Sequence, residues 1–393
     1  MPASTPPRAE IALVAANARY GHTAFGLRCL LANLADLRPE AALIETTTDD
    51  RPADIAERIL AISPRVVGLS VAIWSVELLT EVAAILKRVA PGVRLVVGGP
   101  EIASPHDLPR IAELSDVCVI GEGERVFPEI ARALLDDGRT AQRIVVADPL
   151  ELSDISLPHR EYTDEDIAHR NVYIEASRGC PHGCEFCLSG TSKRVRRFPP
   201  EHVLEAVSAL WDRGARRFKF VDRSLELADA SELLDFFLAR ADEGVFLHFE
   251  LVPGRLPAPL FDRLRRFPRG AVQLEVGVQT LDEEVSSRVG RRQDGARAIA
   301  EIERLLAHTN AHVHADLVVG LPGEGLAGVE SGFDALFRTG VHEIQIGILK
   351  RLRGTPISRH AEPFGMIFRE TAPYDVLATS SIDFAEMQRI KRA

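Results

Sequence analysis

Three cysteines stand close together near the middle of the chain and form its strongest chemical motif. Cys180, Cys184 and Cys187 give the spacing C-x3-C-x2-C on one short stretch. Three thiolates on one loop can hold three irons of a cubic [4Fe–4S] cluster and leave the fourth iron without a protein ligand. An open coordination position is what a catalytic metal needs. A structural zinc site is the alternative, but zinc normally takes four ligands, and His182 sits awkwardly within the loop to be the fourth.

An alternating series of strands and helices precedes the motif. From Ile11 to about Ala147 short β-branched runs alternate with amphipathic segments. Strands are predicted at residues 11–15, 66–70, 95–99 and 117–121, with helices starting near residue 23 and spanning 76–89 and 127–135. Strands separated by helices imply an α/β fold with a parallel, doubly wound (Rossmann-like) sheet, whose ligand edge lies at the strand carboxyl ends.

A second series begins after an acidic, proline-containing stretch. Strands are predicted at residues 172–176, 217–221, 245–251, 272–278, 312–319 and 343–349, with helices including 201–211, 231–241 and 295–307. Six such units favour a partial (β/α)6 barrel of the TIM type, with the cysteines at its carboxyl-end mouth. We therefore expect a doubly wound domain at residues 1–147, a linker at 148–170, a barrel at 171–362 and a weakly patterned tail at 363–393.

Composition excludes several classes of protein. The 393 residues are 46% hydrophobic and 26% charged, which is enough to build more than one buried core. The formal net charge of −10 favours a soluble chain without general affinity for nucleic acid or membranes. No apolar run is long enough to span a membrane, and the first residues do not predict a secretory signal. An odd count of five cysteines argues against a disulfide framework and for a cytoplasmic location.

The cysteine motif after a first barrel strand resembles the radical S-adenosylmethionine (radical SAM) superfamily, and the resemblance extends from about Asn171 to Ile357. It implies that the open iron chelates the amino and carboxylate groups of SAM. The reduced cluster then passes one electron to the sulfonium, and a 5′-deoxyadenosyl radical abstracts a hydrogen atom. The cofactors carry this chemistry, and the protein supplies placement and a dry site.

Further barrel residues match the superfamily one at a time. By this resemblance Asp222 lies where the SAM amino group is bound, although the usual Gly-Gly-Glu is absent. Glu250 and Glu275 end successive strands and are expected to accept hydrogen bonds from ribose hydroxyls, with Gln279 assisting. Gly320 lies in a turn similar to the one that approaches adenine. The alternatives are surface or helix-capping carboxylates and an ordinary tight turn.

Loops after the strands of the first domain, placed before such a barrel, resemble the cobalamin-binding domain of the cobalamin-dependent radical SAM subgroup. Taken alone they indicate only a ligand edge, because no G-x-G-x-x-G follows the first strand. The residues that the resemblance assigns to cobalamin binding are Asn17, Tyr20, Ser70, Trp74, Gly98, Gly99, Glu101, Gly121, Glu122 and Gly123.

The Asp-x-His-x-x-Gly motif that donates a histidine to cobalt is missing. His22 lies in roughly the right loop, but position 20 is Tyr rather than Asp. We therefore expect no histidine ligation from below. Tyr20 or Trp74 is a candidate to cover the lower face of the corrin, and an ordinary core or surface aromatic is the alternative for each.

Two other features point to structure rather than chemistry. Cys29 and Cys118 lie in apolar helix or strand contexts, which is typical of buried core cysteines. The basic stretch Lys193–Arg197 is expected to be a solvated loop, although pairing with an anionic substrate is an alternative.

The resemblance implies a cobalamin-dependent radical SAM enzyme that transfers a methyl group to a weakly activated carbon or phosphorus centre. The alternatives are non-methylating rearrangement or oxidation, a first domain that has lost cobalamin, and a non-catalytic sensor. A flavodoxin- or ferredoxin-type electron donor and a small-molecule or peptide-like substrate are the expected partners.

Overall fold

The computed structural model describes residues 8–191, 193–225, 230–254 and 256–392. Residues 1–7 of the predicted first domain and Ala393 of the predicted tail lie outside this range. The chain divides into two compact units, Met1–Asn171 and Val172–Ala393. Within the described ranges, none of the helices combines the length and the apolar character needed to cross a bilayer.

The first unit is a six-stranded parallel sheet flanked by helices, which confirms the predicted doubly wound class. Its strands are β1 (Ile11–Asn17), β2 (Ala41–Thr47), β3 (Val66–Ser70), β4 (Arg94–Gly98), β5 (Val117–Ile120) and β6 (Ile144–Val146). Its helices are α1 (Phe25–Ala32), α2 (Pro52–Ala61), α3 (Val76–Val89), α4 (Ile111–Leu114), α5 (Gly123–Asp136) and α6 (Asp164–His169). The sequence did not predict β2 and β6, because these edge strands are only partly buried and lack a clear apolar run.

The strand order of this sheet is β2-β1-β3-β4-β5-β6. The chain therefore changes direction across the sheet between β1 and β3, and ligands of doubly wound proteins bind in the crevice at such a switch point. The loops that follow β1 and β3 lie at this point, and the Trp74 Nε1 of the second loop donates a hydrogen bond to the Ala16 carbonyl at 3.0 Å.

Residues 148–170 differ from the predicted linker because they belong to the first unit. They form two short 3-10 turns and α6, which starts with a capping box between Thr163 and Asp166. Asp166 and Arg170 are buried. They form ion pairs with Arg28 on α1 and Glu45 on β2. Acidic and basic residues in this stretch thus have partners that the local sequence does not reveal.

The second unit contains a six-stranded parallel sheet in the order β14-β13-β12-β11-β10-β7. Its strands, with two short antiparallel pairs, are β7 (Val172–Ile174), β8 (Ser177–Arg178), β9 (Arg196–Arg197), β10 (Arg217–Phe220), β11 (Phe246–Leu251), β12 (Val272–Gln279), β13 (His312–Val319), β14 (Glu343–Ile348), β15 (Ile367–Phe368) and β16 (Val376–Ala378). Its helices are α7 (Pro200–Asp212), α8 (Ser231–Leu238), α9 (Ala258–Leu264), α10 (Glu283–Arg288), α11 (Gly295–His308), α12 (Leu326–Thr339) and α13 (Phe384–Arg392). Six parallel strands in chain order with two free edges confirm the predicted partial barrel.

The predicted tail is also part of the second unit. The strands β15 and β16 pair antiparallel, and α13 follows them. Val376, Ile382 and Met387 are buried in one apolar cluster with Val319 and Leu321 of the barrel. The segment looked weakly patterned because its buried residues are spread over short elements rather than one periodic helix.

Candidate functional site

The cysteine loop follows β8 and rests on the segment Val289–Arg291 of the same unit. The backbone N–H of Glu185 donates to the Val289 carbonyl at 2.9 Å. Gly290 has a φ of +74°, and a Cβ atom there would collide with the carbonyl oxygen of Gly183. Glycine is therefore required at position 290, because the two backbones touch.

A second anchor joins this loop to the 3-10 turn Pro356–His360, which follows β14. The Glu185 carboxylate, between the second and third cysteines, accepts a hydrogen bond from the Arg359 Nε at 2.8 Å and lies 2.9 Å from the His360 Nε2. The Glu185 and His360 side chains are largely buried. This contact spans most of the barrel sequence, and no local pattern predicted it.

All three cysteines line one cavity of about 240 Å³. Cys184 is buried, whereas Cys180 and Cys187 are half-buried. Burial raises the pKa of the Cys180 and Cys184 thiols, and at Cys184 the nearby Arg291 acts in the opposite direction. Within the described part of the chain, no three His, Cys, Asp or Glu side chains are grouped so that they could hold a single metal ion. Three thiols that line one cavity match the ligand number of a [4Fe–4S] cluster with one open iron.

Carboxylates from three neighbouring barrel strands line the same cavity. Glu250 on β11 and Glu275 on β12 are register partners, and Asp316 lies on β13. Burial raises the pKa of Glu250, and repulsion from Glu275 adds to this effect. Burial also raises the pKa of Asp316 to about 6, although His314 partly opposes the shift. Burial alone would raise the pKa of Glu275 as well, but His248, whose Nε2 is 3.1 Å away, keeps it below its usual value.

Two arginines and a glutamine complete the polar lining. The Arg223 Nη1 lies 3.7 Å from the Glu250 Oε1, and the Arg291 Nη1 lies 3.6 Å from the Cys184 Sγ. Gln279 reaches the cavity after an irregularity in β12 and has a φ of +72°, which is a strained value for a residue other than glycine. The cavity thus offers soft sulfur ligands, hydrogen-bond acceptors for a cationic or hydroxylated ligand, and fixed positive charge.

Two predicted SAM contacts do not line this cavity. Asp222 is only 2% exposed, and its carboxylate accepts hydrogen bonds from the Ser177 hydroxyl at 2.5 Å and the Ala176 N–H at 3.0 Å. It therefore holds the segment that joins β7 to β8 in place. Gly320 has a φ of +90° and lies against Val376, so the bend serves packing of the C-terminal elements.

The structure brings the three cysteines together with Glu250, Glu275 and Gln279, as the sequence predicts, and adds residues that sequence reasoning missed. Asp316 lies inside a predicted strand rather than at its end, so a search for acidic residues anywhere on the predicted strands would have found it. Arg223 and Arg291 carry no periodic signal, and only the fold brings them to the cavity.

In the first unit, the loop after β1 is held by internal hydrogen bonds. Asn17 is buried, and its Nδ2 donates to the Glu45 Oε1 at 2.9 Å and the His22 carbonyl at 3.1 Å. Tyr20 is 55% exposed, and its hydroxyl donates to the Glu165 Oε1 at 3.0 Å. The Arg170 guanidinium lies 5.2 Å from the centre of the Tyr20 ring. Asn17 thus shapes the loop, whereas Tyr20 presents an exposed aromatic ring.

At the carboxyl ends of the strands of the first unit, close contacts between loops explain why two positions are glycine. A Cβ on Gly99, which has a φ of +101°, would meet the backbone of Val71. Gly121, with a φ of +94°, packs against the Ala147 carbonyl. The other predicted residues also lie at or near the carboxyl ends of β3, β4 and β5: Ser70 and Gly98 end their strands, Glu101 is buried, Glu122 precedes α5, Gly123 begins it, and Trp74 is 55% exposed.

Two family models match the chain. The B12 binding domain matches residues 11–131, and the radical SAM superfamily matches residues 174–335. The chain is 26% identical over 320 residues to 2-(S-pantetheinyl)-carbapenam-3-carboxylate methyltransferase of Streptantibioticus cattleyicolor, covering 71% of this chain and 46% of the relative. It is 24% identical over 341 residues to the cobalamin-dependent radical SAM methyltransferase TokK of Streptomyces tokunonensis. This match covers 73% of this chain and 47% of TokK. The chain thus spans about half the length of these relatives.

A solved structure agrees in fold. The radical SAM methyltransferase TsrM of Kitasatospora setae, with tryptophan substrate and the SAM analogue aza-SAM bound, aligns with a TM-score of 0.74. The alignment covers 96% of this chain and 80% of that chain at 18% identity, which shows that the two share an architecture.

Proposed function

We propose that this chain, which belongs to the radical SAM proteins that carry a B12-binding domain, is a cobalamin-dependent methyltransferase. The observation that carries the proposal is the cavity in the barrel, where three cysteines face carboxylates and arginines while a B12-binding unit precedes them in the same chain. When bound, the cluster and SAM supply a carbon-centred radical, and cobalamin supplies a carrier for the methyl group.

In the barrel, Cys180, Cys184 and Cys187 would hold the [4Fe–4S] cluster. Their thiols surround one cavity, and the loop that carries them is anchored by backbone contact and by Glu185. The nearby carboxylates are placed to accept hydrogen bonds from the ribose hydroxyls or the ammonium group of SAM. Because the Asp222 carboxylate is buried and already accepts hydrogen bonds from Ala176 and Ser177, we assign this role to Glu250, Glu275 and Asp316, with Gln279 beside them.

In the first unit, cobalamin would bind at the carboxyl ends of β1, β3, β4 and β5. The exposed rings of Tyr20 and Trp74 support this assignment, because large exposed aromatics at a sheet edge suit a flat macrocycle. Trp74 donates its N–H to Ala16, and Tyr20 is held by Glu165, so each ring is kept in place. The loop after β1 offers no Asp-x-His motif, so we propose that no histidine ligates the cobalt from below.

The proposal includes a small-molecule or peptide-like substrate that is methylated at a weakly activated carbon or phosphorus centre. It also includes a one-electron donor of the flavodoxin or ferredoxin type, because SAM cleavage consumes an electron. A reducing compartment such as the cytoplasm suits a cluster held by three thiolates.

The test is to purify the protein without oxygen, reconstitute it with iron, sulfide and cobalamin, and incubate it with SAM and a low-potential reductant. The two SAM-derived products, 5′-deoxyadenosine and S-adenosylhomocysteine, are then quantified by mass spectrometry. We expect both, with S-adenosylhomocysteine formed only by cobalamin-loaded protein. Formation of 5′-deoxyadenosine alone would instead support the non-methylating alternative, and formation of neither would overturn the proposal.

A further inference from the structure

A buried arginine, Arg291, stands beside the cysteine loop. Arg291 is only 8% exposed. Its Nε donates to the Gln293 Oε1 at 2.8 Å, its Nη2 donates to the Gly277 carbonyl, and its Nη1 lies 3.6 Å from the Cys184 Sγ. Across the described ranges, no Asp or Glu forms an ion pair with this guanidinium. The Asp316 carboxylate lines the same cavity and interacts electrostatically with this guanidinium, but the Cys184 sulfur is the group at hydrogen-bond distance from Nη1, so Arg291 favours negative charge at that sulfur.

The backbone fixes this arrangement. The Arg291 N–H donates to the Ser286 carbonyl at 2.9 Å, and the two preceding residues form the surface on which the cysteine loop rests. The distance from Arg291 to Cys184 therefore depends on the packing of two backbone segments rather than on a flexible exposed side chain.

We infer that Arg291 is a positioning residue that raises the reduction potential of the [4Fe–4S] cluster through its contact with Cys184. The inference rests on the proposed function only in requiring that the three cysteines hold the cluster. An external one-electron donor reduces the cluster, which adds one negative charge to a centre that the thiolates already make negative. A nearby buried cation that donates an N–H to sulfur stabilises the reduced form more than the oxidised form.

The neighbouring residue provides a matched control. Arg292 carries the same charge on the same segment but is exposed, and the described contacts bring it to no cysteine. Replacing either arginine by glutamine removes one positive charge. Only the change at position 291 removes the N–H directed at Cys184.

The experiment measures the midpoint potential of the reconstituted full-length protein by redox titration followed by electron paramagnetic resonance, with neither SAM nor substrate present. We expect Arg291→Gln to shift the potential to a more negative value. Arg291→Lys keeps the charge but loses the planar fork, so we expect a smaller shift in the same direction. Arg292→Gln is expected to match the wild type.

Iron and sulfide content are measured for every variant, because Arg291→Gln removes three buried contacts. If Arg291→Gln retains no cluster, the midpoint potentials of Arg291→Lys and Arg292→Gln are compared instead, and the inference requires a more negative potential in Arg291→Lys. Equal potentials for wild type and the position-291 variant would overturn the inference, as would an equal shift in Arg292→Gln. The result does not depend on methyl transfer, because no SAM product is measured.

Discussion

The two units differ in how completely their buried carboxylates are paired. In the first unit, Arg28, Glu45, Asp166 and Arg170 form a network with N–O distances of 2.7–2.9 Å between each arginine and both carboxylates, while the buried Nε and Nη1 of Arg28 have no hydrogen-bond acceptor among the described residues. Every carboxylate oxygen of Glu45 and Asp166 accepts at least one N–H. In the second unit, the carboxylates that line the cysteine cavity are less completely paired than Glu45 and Asp166.

The barrel interior shows this incompleteness at single atoms. The Oδ1 of Asp316 is buried and faces the buried Nε2 of His314 at 3.4 Å, and within the described part of the chain neither atom forms a well-aligned hydrogen bond. Burial consequently dominates at Asp316, whose pKa rises to about 6, whereas the pKa of Asp166 falls below its usual value even though burial alone would raise it. Paired buried charges stabilise the fold, and incompletely paired ones around a cavity mark where a ligand is expected.

The largest effect is expected from Cys184→Ala. A cluster that loses one of three protein ligands should not assemble, so formation of 5′-deoxyadenosine should fall below detection. Thermal stability of the protein without its cofactors should change little, because a thiol is replaced by a side chain of similar polarity. Cys29→Ala is the control, and we expect it to leave iron content and SAM cleavage unchanged.

Arg28→Met tests the paired region. It leaves Glu45 and Asp166 buried with one arginine instead of two, and such a change typically costs about 3–5 kcal/mol. Hydrogen exchange of the intact chain should show faster exchange in peptides from β1, β2 and α6, with the barrel unaffected. Arg51→Gln, which breaks an exposed, solvent-screened pair with Asp54, should leave hydrogen exchange essentially unchanged. Equal effects of the two variants would contradict the role of the network.

A further prediction concerns Glu324, a buried carboxyl group that does not line the cysteine cavity. It is buried, its carboxylate accepts a hydrogen bond from the Thr280 hydroxyl at 2.5 Å, and burial raises its pKa to about 7 from 4.5. The folded state therefore binds this proton more tightly. The resulting stabilisation is complete below pH 4.5 and is lost as pH rises through 7, by up to about 3 kcal/mol.

Glu324→Gln should remove this pH dependence. Urea unfolding at pH 5 and pH 8 should show the wild type weakening toward pH 8 relative to the variant, with fluorescence reporting on Trp211 of the barrel. A constant difference between the two proteins across this range would argue that the Glu324 carboxyl is not abnormally protonated.

The smallest effect is expected from Asp316→Asn. As pH rises from 5 to 7 the carboxyl ionises, and its charge should favour the cationic sulfonium of SAM by on the order of 1 kcal/mol. Equilibrium binding of SAM to the reconstituted protein should tighten over this range in the wild type and change less in the variant. Parallel pH dependence in both proteins would assign the titration to another group.

Much of the architecture follows from local pattern, because period-two and period-3.6 apolar repeats report burial directly. The six barrel strands were predicted on that basis, whereas the cysteine loop was predicted from the spacing of its three cysteines. The edge strands β2 and β6 were missed because most of their residues are only partly buried, so they lack a clear apolar pattern. The structure shows the Asp222 carboxylate bonded to Ala176 and Ser177, and sequence alone does not tell whether a carboxylate at a strand end faces the mouth or bonds back to a neighbouring segment.

The sequence by itself determined the chemistry that is available, since three thiols at fixed spacing on one loop after a strand are a property of neighbouring residues. Only the tertiary structure decided which charges surround those thiols. Arg291, Asp316, Arg359 and His360 reach the cysteine loop or its cavity from positions more than one hundred residues away. Such contacts depend on strand register and loop packing, which are set by the whole barrel rather than by any segment.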